Sequence, residues 1–213
     1  MNGAAFGILA RMSILIHRRT YDCEAFDEGD GKLRVRGHLN DTKPNGLALM
    51  DGEPLTIHDM SVDLVVQTPS FEIIAVEVEM HEHPYQLCRN ILDHYQQLVG
   101  LTITRGYTHK VRELFGGPSG CSHVGALLQA MGPVAVQATW SMVNLHENPV
   151  ESLRNELSQE EKTRRFKLNN NTCHVWAEDG EQMGLVEAGK TPQRPGWEIE
   201  RLVKLGAKPE DIS

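Results

Sequence analysis

The periodicity of this chain changes once, just after Met80, and that change constrains the fold more than any other feature. Before it the chain reads as two hairpins. Ser13 to Asp22 and Lys32 to Leu39 flank Asp27-Glu28-Gly29-Asp30-Gly31, a turn signal of the kind that joins antiparallel strands. In the second of these segments Leu33, Val35 and Gly37 share one face. Arg34, Arg36 and His38 share the other, the period-two pattern of a half-buried strand. A loop opening with Asp41-Thr42-Lys43-Pro44-Asn45-Gly46 runs to about Pro54. Ser61 to Thr68 and Phe71 to Met80, both rich in Val and Ile, form a second hairpin through Pro69-Ser70.

After Met80 the pattern becomes helical. Tyr85 to Leu98 and Thr108 to Phe115 read as helices. Cys121 to Met131 and Val134 to Leu145 read as a helix interrupted at Gly132-Pro133. Pro149 to Leu168 reads as a charged amphipathic helix and Cys173 to Ala177 as a short late strand. The tail from Gly189 is a linker ending in a helix from about Trp197 to Leu205. Strands, then helices, then one strand is the order of an α+β fold. The expectation is an antiparallel sheet of about four to five strands covered on one face by helices. Residues 13–185 read as a single α+β domain and residues 186–213 as linker and C-terminal helix. Residues 1–12 read as an upstream extension, with Met12 an alternative start. Phe6 to Ala10 is apolar, but Arg11 interrupts it, so it makes a poor signal peptide and is too short for a membrane span.

Forty per cent of the 213 residues are hydrophobic, enough for a real core, and the formal charge is −8. That balance argues against nucleic acid as a partner, because no basic excess exists to displace counterions from phosphates. The basic cluster Lys162, Arg164, Arg165 and Lys167 stands beside Glu160 and Glu161 and reads as a solvated helix face. No segment suits a membrane. Cys23, Cys88, Cys121 and Cys173 are far apart, without Cys-x-x-Cys spacing, so reduced thiols in a cytoplasm are the default.

The chemistry is concentrated at element boundaries. Cys121-Ser122-His123 follows Gly116-Gly117-Pro118-Ser119-Gly120 and opens an apolar helix. The unpaired amides of a helix start favour anionic sulfur, so the pair suits either a soft metal site or a nucleophile with its base. His58-Asp59 lies just before the third strand, and Cys88 in the first turn of the first helix. His58, Cys88, Cys121 and His123 would make a tetrahedral metal set that accepts zinc or iron. Asp59 is then a base, or the group that fixes a histidine tautomer. In the competing reading the thiols simply pack.

Lesser candidates are His81 with His83, Cys173-His174, Glu77 with Glu79, and Arg105, Tyr107 and His109. Trp140 reads as core.

Two resemblances follow. His17-Arg18-Arg19, Gly37-His38-Leu39 with Asp41-Thr42-Lys43-Pro44, Ile57-His58-Asp59-Met60 and Gly120-Cys121-Ser122-His123 together resemble a bacterial family of unknown function, over about residues 13–185. More remotely, residues 57–145 resemble the iron–sulfur cluster assembly scaffold. Cys88 stands at the scaffold's second cysteine and Cys121-Ser122 at its third with the following serine. That likeness implies three loops converging on one metal. The scaffold's first cysteine falls near Thr56 and its histidine at Gly120, so a mononuclear zinc or iron site fits these residues better than a cluster cradle. The leading expectation is a cytoplasmic metal-site protein, acting on a small organic substrate if it is an enzyme. The alternatives are an iron–sulfur scaffold or carrier, a metal-free enzyme with Cys121 as nucleophile, and a structural homodimer with buried thiols.

Overall fold

The computed structural model describes residues 13–46, 52–146, 150, 158–167, 169–190, 192–208 and 212. The segment before Ser13, and most of the stretch from 149 to 157 in the charged helix read from sequence, lie outside the described residues. Two compact units divide the chain at Met142/Val143.

The first unit is built on four strands, β1 (Arg18–Gly29), β2 (Lys32–Lys43), β3 (Leu55–Gln67) and β4 (Glu72–Glu82). They form one antiparallel sheet in the order β1-β2-β3-β4. Asp30 and Gly31, both at positive φ, make the two-residue β1–β2 turn that the Asp-Gly signal announced. The late strand expected at Cys173–Ala177 is instead a 3₁₀ turn over His174–Trp176. No described strand lies beside it to supply ladder bonds.

Strand boundaries differ from the sequence reading, and at β2 and β3 the difference matters. β2 does not end at Leu39. Its alternation continues, burying Leu33, Val35, Gly37, Leu39 and then Asp41 on one face. Neighbours on both sides supply hydrogen bonds, so a polar run that looks like a loop stays extended. β3 correspondingly begins at Leu55, which puts His58 and Asp59 inside the strand rather than before it. β1 runs past Asp22 to Gly29; as an edge strand it carries its charges into water at no cost in burial.

Helical segments follow the sheet in the first unit. A 3₁₀ helix spans Gln86–Leu98, with Leu92, Tyr95 and Leu98 on one side at three-residue spacing. Then come α1 (Tyr107–Phe115) and α2 (Ser122–His146), of which the residues up to Met142 belong to this unit. α2 is continuous where the sequence suggested a break. Pro133 is exposed, so its ring displaces no core side chain, and the helix loses one backbone bond there. Burial of Val124, Leu127, Leu128, Met131 and Ala135 along one stripe offsets the roughly 3 kcal/mol a mid-helix proline costs. Trp140 lies off that stripe and is 42% exposed, so it is not core. One apolar cluster joins the buried faces of β2, β3 and β4 to the 3₁₀ helix, α1 and α2.

The second unit contains α3 (Gln159–Lys167), α4 (Glu181–Glu187) and α5 (Gly196–Lys204). α4 went unread in the sequence. A small cluster of Val150, Leu202 and Ala207 is buried here, and Phe166 stacks on Trp176. No helix among the described residues is long and apolar enough to cross a membrane.

Candidate metal centre

A row of side chains crosses three strands at one end of the sheet. Arg19 of β1 is paired with Asp41 of β2, and Asp41 with His58 of β3. The strand pleat places Asp41 and His58 on the buried faces of their strands, in step with Leu39 and Met60. His123, the second residue of α2, meets the row from the helix side.

Asp41 is the hub. It is 1% exposed, the only buried charged side chain among the described residues. Arg19 donates through Nε to its Oδ1 at 2.6 Å and through Nη2 to its Oδ2. His58 Nδ1 donates to Oδ2 at 3.0 Å, and His17 Nε2 lies 3.2 Å from Oδ1. His123 Nε2 stands 3.6 Å from the same Oδ2. The hydrogen bond from Arg19 holds the Asp41 carboxyl down to about 2, against the cost of burial, so it is ionised at any ordinary pH. The same contact pushes the Arg19 guanidinium up.

The His58 and His123 rings lie side by side, centroids 3.8 Å apart at 31°. Burial first, then the neighbouring His58 and Arg19, lowers the pKa of His123 and favours its neutral form. Ligand atoms of Asp41, His58 and His123 all fall within 4.8 Å of one another, the grouping of metal-binding side chains found among the described residues.

A model of the family described as "Protein of unknown function (DUF2889)" matches residues 17–137, more than half of the chain. The chain belongs to this family. The DUF2889 span begins at His17, holds Arg19, Asp41, His58, Cys121 and His123, and ends within α2, so it contains the whole constellation. No curated protein and no solved structure matches the chain.

Within the DUF2889 region the expected ligands separate. His58 and His123 come together; Cys121 stands behind His123, its Sγ 3.6 Å from Nδ1. The backbone N–H of Cys121 donates to the Tyr95 hydroxyl at 2.8 Å, which pins the loop before α2. Desolvation pushes that buried phenol up to about 12. Cys88 packs, partly buried, against the core and contributes no atom to the grouping. Asp59 faces the other side of the sheet, where it accepts from His38 Nε2 at 2.8 Å and Asn40 Nδ2 at 3.2 Å. His81 pairs with Ser61 and Glu79 on the exposed face of β3 and β4.

Asp41, Arg19 and His17 were not among the candidates read from sequence. Two more steps of the Leu33-Val35-Gly37 alternation would have reached Asp41. Arg19 stands in the His17-Arg18-Arg19 string of the family resemblance, but the weak alternation at this end of an edge strand does not show which way it faces.

Proposed function

We propose that this protein binds one transition-metal ion, zinc or iron, through Asp41, His58 and His123, and uses it on a small organic substrate in the cytoplasm. The spacing of three donors carries the reading. Metal–ligand bonds of about 2.0–2.2 Å in a tetrahedral site separate neighbouring donor atoms by about 3.3–3.6 Å. With the Nδ1 proton displaced by the metal, His58 Nδ1 lies 3.0 Å from Asp41 Oδ2, a little inside that edge, and His123 Nε2 lies 3.6 Å from it, at that edge; all three donor atoms fall within 4.8 Å of one another. Two imidazoles and one carboxylate are a donor set that suits zinc or non-haem iron and leaves positions open. A metal so held polarises a carbonyl or lowers a bound water's pKa to about 7. Cys121, at the far nitrogen of His123, is the outer partner that orients the ring.

Elemental analysis of purified protein tests this. About one equivalent of zinc or iron is expected, with His58→Ala and His123→Ala reduced to trace and Cys88→Ala unchanged. Trace metal in the parent protein after reconstitution would overturn it. Full metal loss in Cys88→Ala would instead favour the cluster-scaffold alternative.

One observation supports a second reading. Cys121 Sγ, the His123 ring and Asp41 stand in the order of nucleophile, base and orienting carboxylate, with 3.6 Å at each step. In metal-free protein Cys121 should then alkylate with iodoacetamide at least about tenfold faster than partly buried Cys88, and His123→Ala should abolish the difference. Equal rates before and after that substitution would exclude it.

A further inference from the structure

The proposed centre is out of charge balance, and the imbalance points to what it binds. Asp41 supplies the single negative charge among the three ligands, and Arg19 already neutralises it through two hydrogen bonds. With neutral imidazoles, a divalent ion plus one guanidinium minus one carboxylate leaves two positive charges. A partly desolvated excess of that size is costly unless an anion joins it.

Among the described residues, neither Cys121 nor Asp59 supplies that anion. Cys121 Sγ sits at Nδ1 of His123, whereas Asp41 sits at Nε2, so sulfur and an ion bound at Nε2 lie across the ring from each other. Asp59 is committed to His38 and Asn40 on the opposite face of the sheet.

Exposure differs widely among the side chains gathered on Asp41. The side chains of Asp41, His58, His123, Arg19 and His17 are 1, 14, 19, 35 and 45% exposed. The three metal donors are the most buried of the five, and the Arg19 guanidinium and the His17 imidazole the most exposed. A ligand arriving from solvent therefore reaches the guanidinium and the outer imidazole more readily than the buried donors.

Building on the metal reading above, we infer that the substrate class of this centre is a small oxyanion, a carboxylate or a phosphate, bound to the open metal position with Arg19 and His17 at its mouth. Guanidinium geometry suits both oxyanions, and an imidazole beside it adds a donor.

Cobalt-substituted full-length protein tests this, because the visible bands of cobalt report exogenous ligands directly. Acetate and inorganic phosphate are titrated separately at constant ionic strength, with perchlorate as the balancing salt. At least one of them should shift the bands saturably. The apparent affinity should weaken about tenfold in Arg19→Gln, the equivalent of one charge-assisted hydrogen bond. His17→Gln, at an exposed position outside the strands, should weaken it several-fold and decides the matter if Arg19→Gln does not fold. Stoichiometric cobalt with bands unmoved by either anion overturns the oxyanion inference and leaves the metal centre standing. Equal anion affinity in parent and His17→Gln proteins overturns the assigned mouth. Failure to bind cobalt at all overturns both the inference and the metal reading beneath it.

Discussion

Asp41→Ala is expected to destabilise the first unit by about 3 kcal/mol at neutral pH and to abolish stoichiometric metal binding. The carboxylate is buried and accepts from Arg19, His58 and His17, so its removal strands a guanidinium and two imidazoles. Breaking a buried charge pair costs about 3–5 kcal/mol; Arg19 is one-third exposed and can turn to water, which sets the lower end. Hydrogen exchange of β2 and β3 amides measures the loss where it arises, without assuming that the two units unfold together.

Acid provides a second readout. A carboxyl whose folded pKa is about 2, against an ordinary 3.8, contributes stability above pH 4. That contribution, about 2 kcal/mol, disappears as pH falls from about 4 to about 2. Asp41→Asn should flatten the stability profile across this window while leaving other carboxylates to titrate. A variant with the parent's full acid sensitivity would show that Asp41 does not hold the row together.

The fold class was legible because it rests on periodicity, and periodicity is local. Leu33, Val35 and Gly37 announce a half-buried strand on their own, and Asp30-Gly31 announces the turn that precedes it. The centre was only half legible, because it rests on pairing. Asn40-Asp41-Thr42-Lys43 has the composition of a loop, and it remains a strand because β1 and β3 flank it. Stopping the strand at Leu39 hid the carboxylate that two histidines share.

His58 and His123 carry chemistry legible in sequence, yet their meeting depends on a cross-strand register and on where a helix lands. Cys88 shows the converse. It sits at an element boundary as Cys121 does, but its helix turns it toward the core. Boundary position narrows the candidates; direction comes from packing.

That dependence on packing makes Gly37→Val the sharpest probe of how the centre is held. Gly37 faces α2, and a Cβ there would lie 2.6 Å from Met131 Sδ and 3.0 Å from Leu127 Cδ1. Both neighbours are fully buried, so the only give is in the flexible Met131 side chain, and it is small. In Gly37→Ala the end of the Met131 side chain can give. The two extra methyls of valine force α2 off the sheet, at about 1–3 kcal/mol. Because α2 carries His123, the same displacement moves an imidazole away from Asp41. Metal affinity, measured by competition with a chelating indicator, should fall about tenfold in Gly37→Val and little in Gly37→Ala. A valine variant that loses stability but keeps its affinity would mean that His123 is positioned from the other end. The Cys121 N–H to Tyr95 hydroxyl bond would then be the anchor, and the helix–sheet contact would serve stability alone.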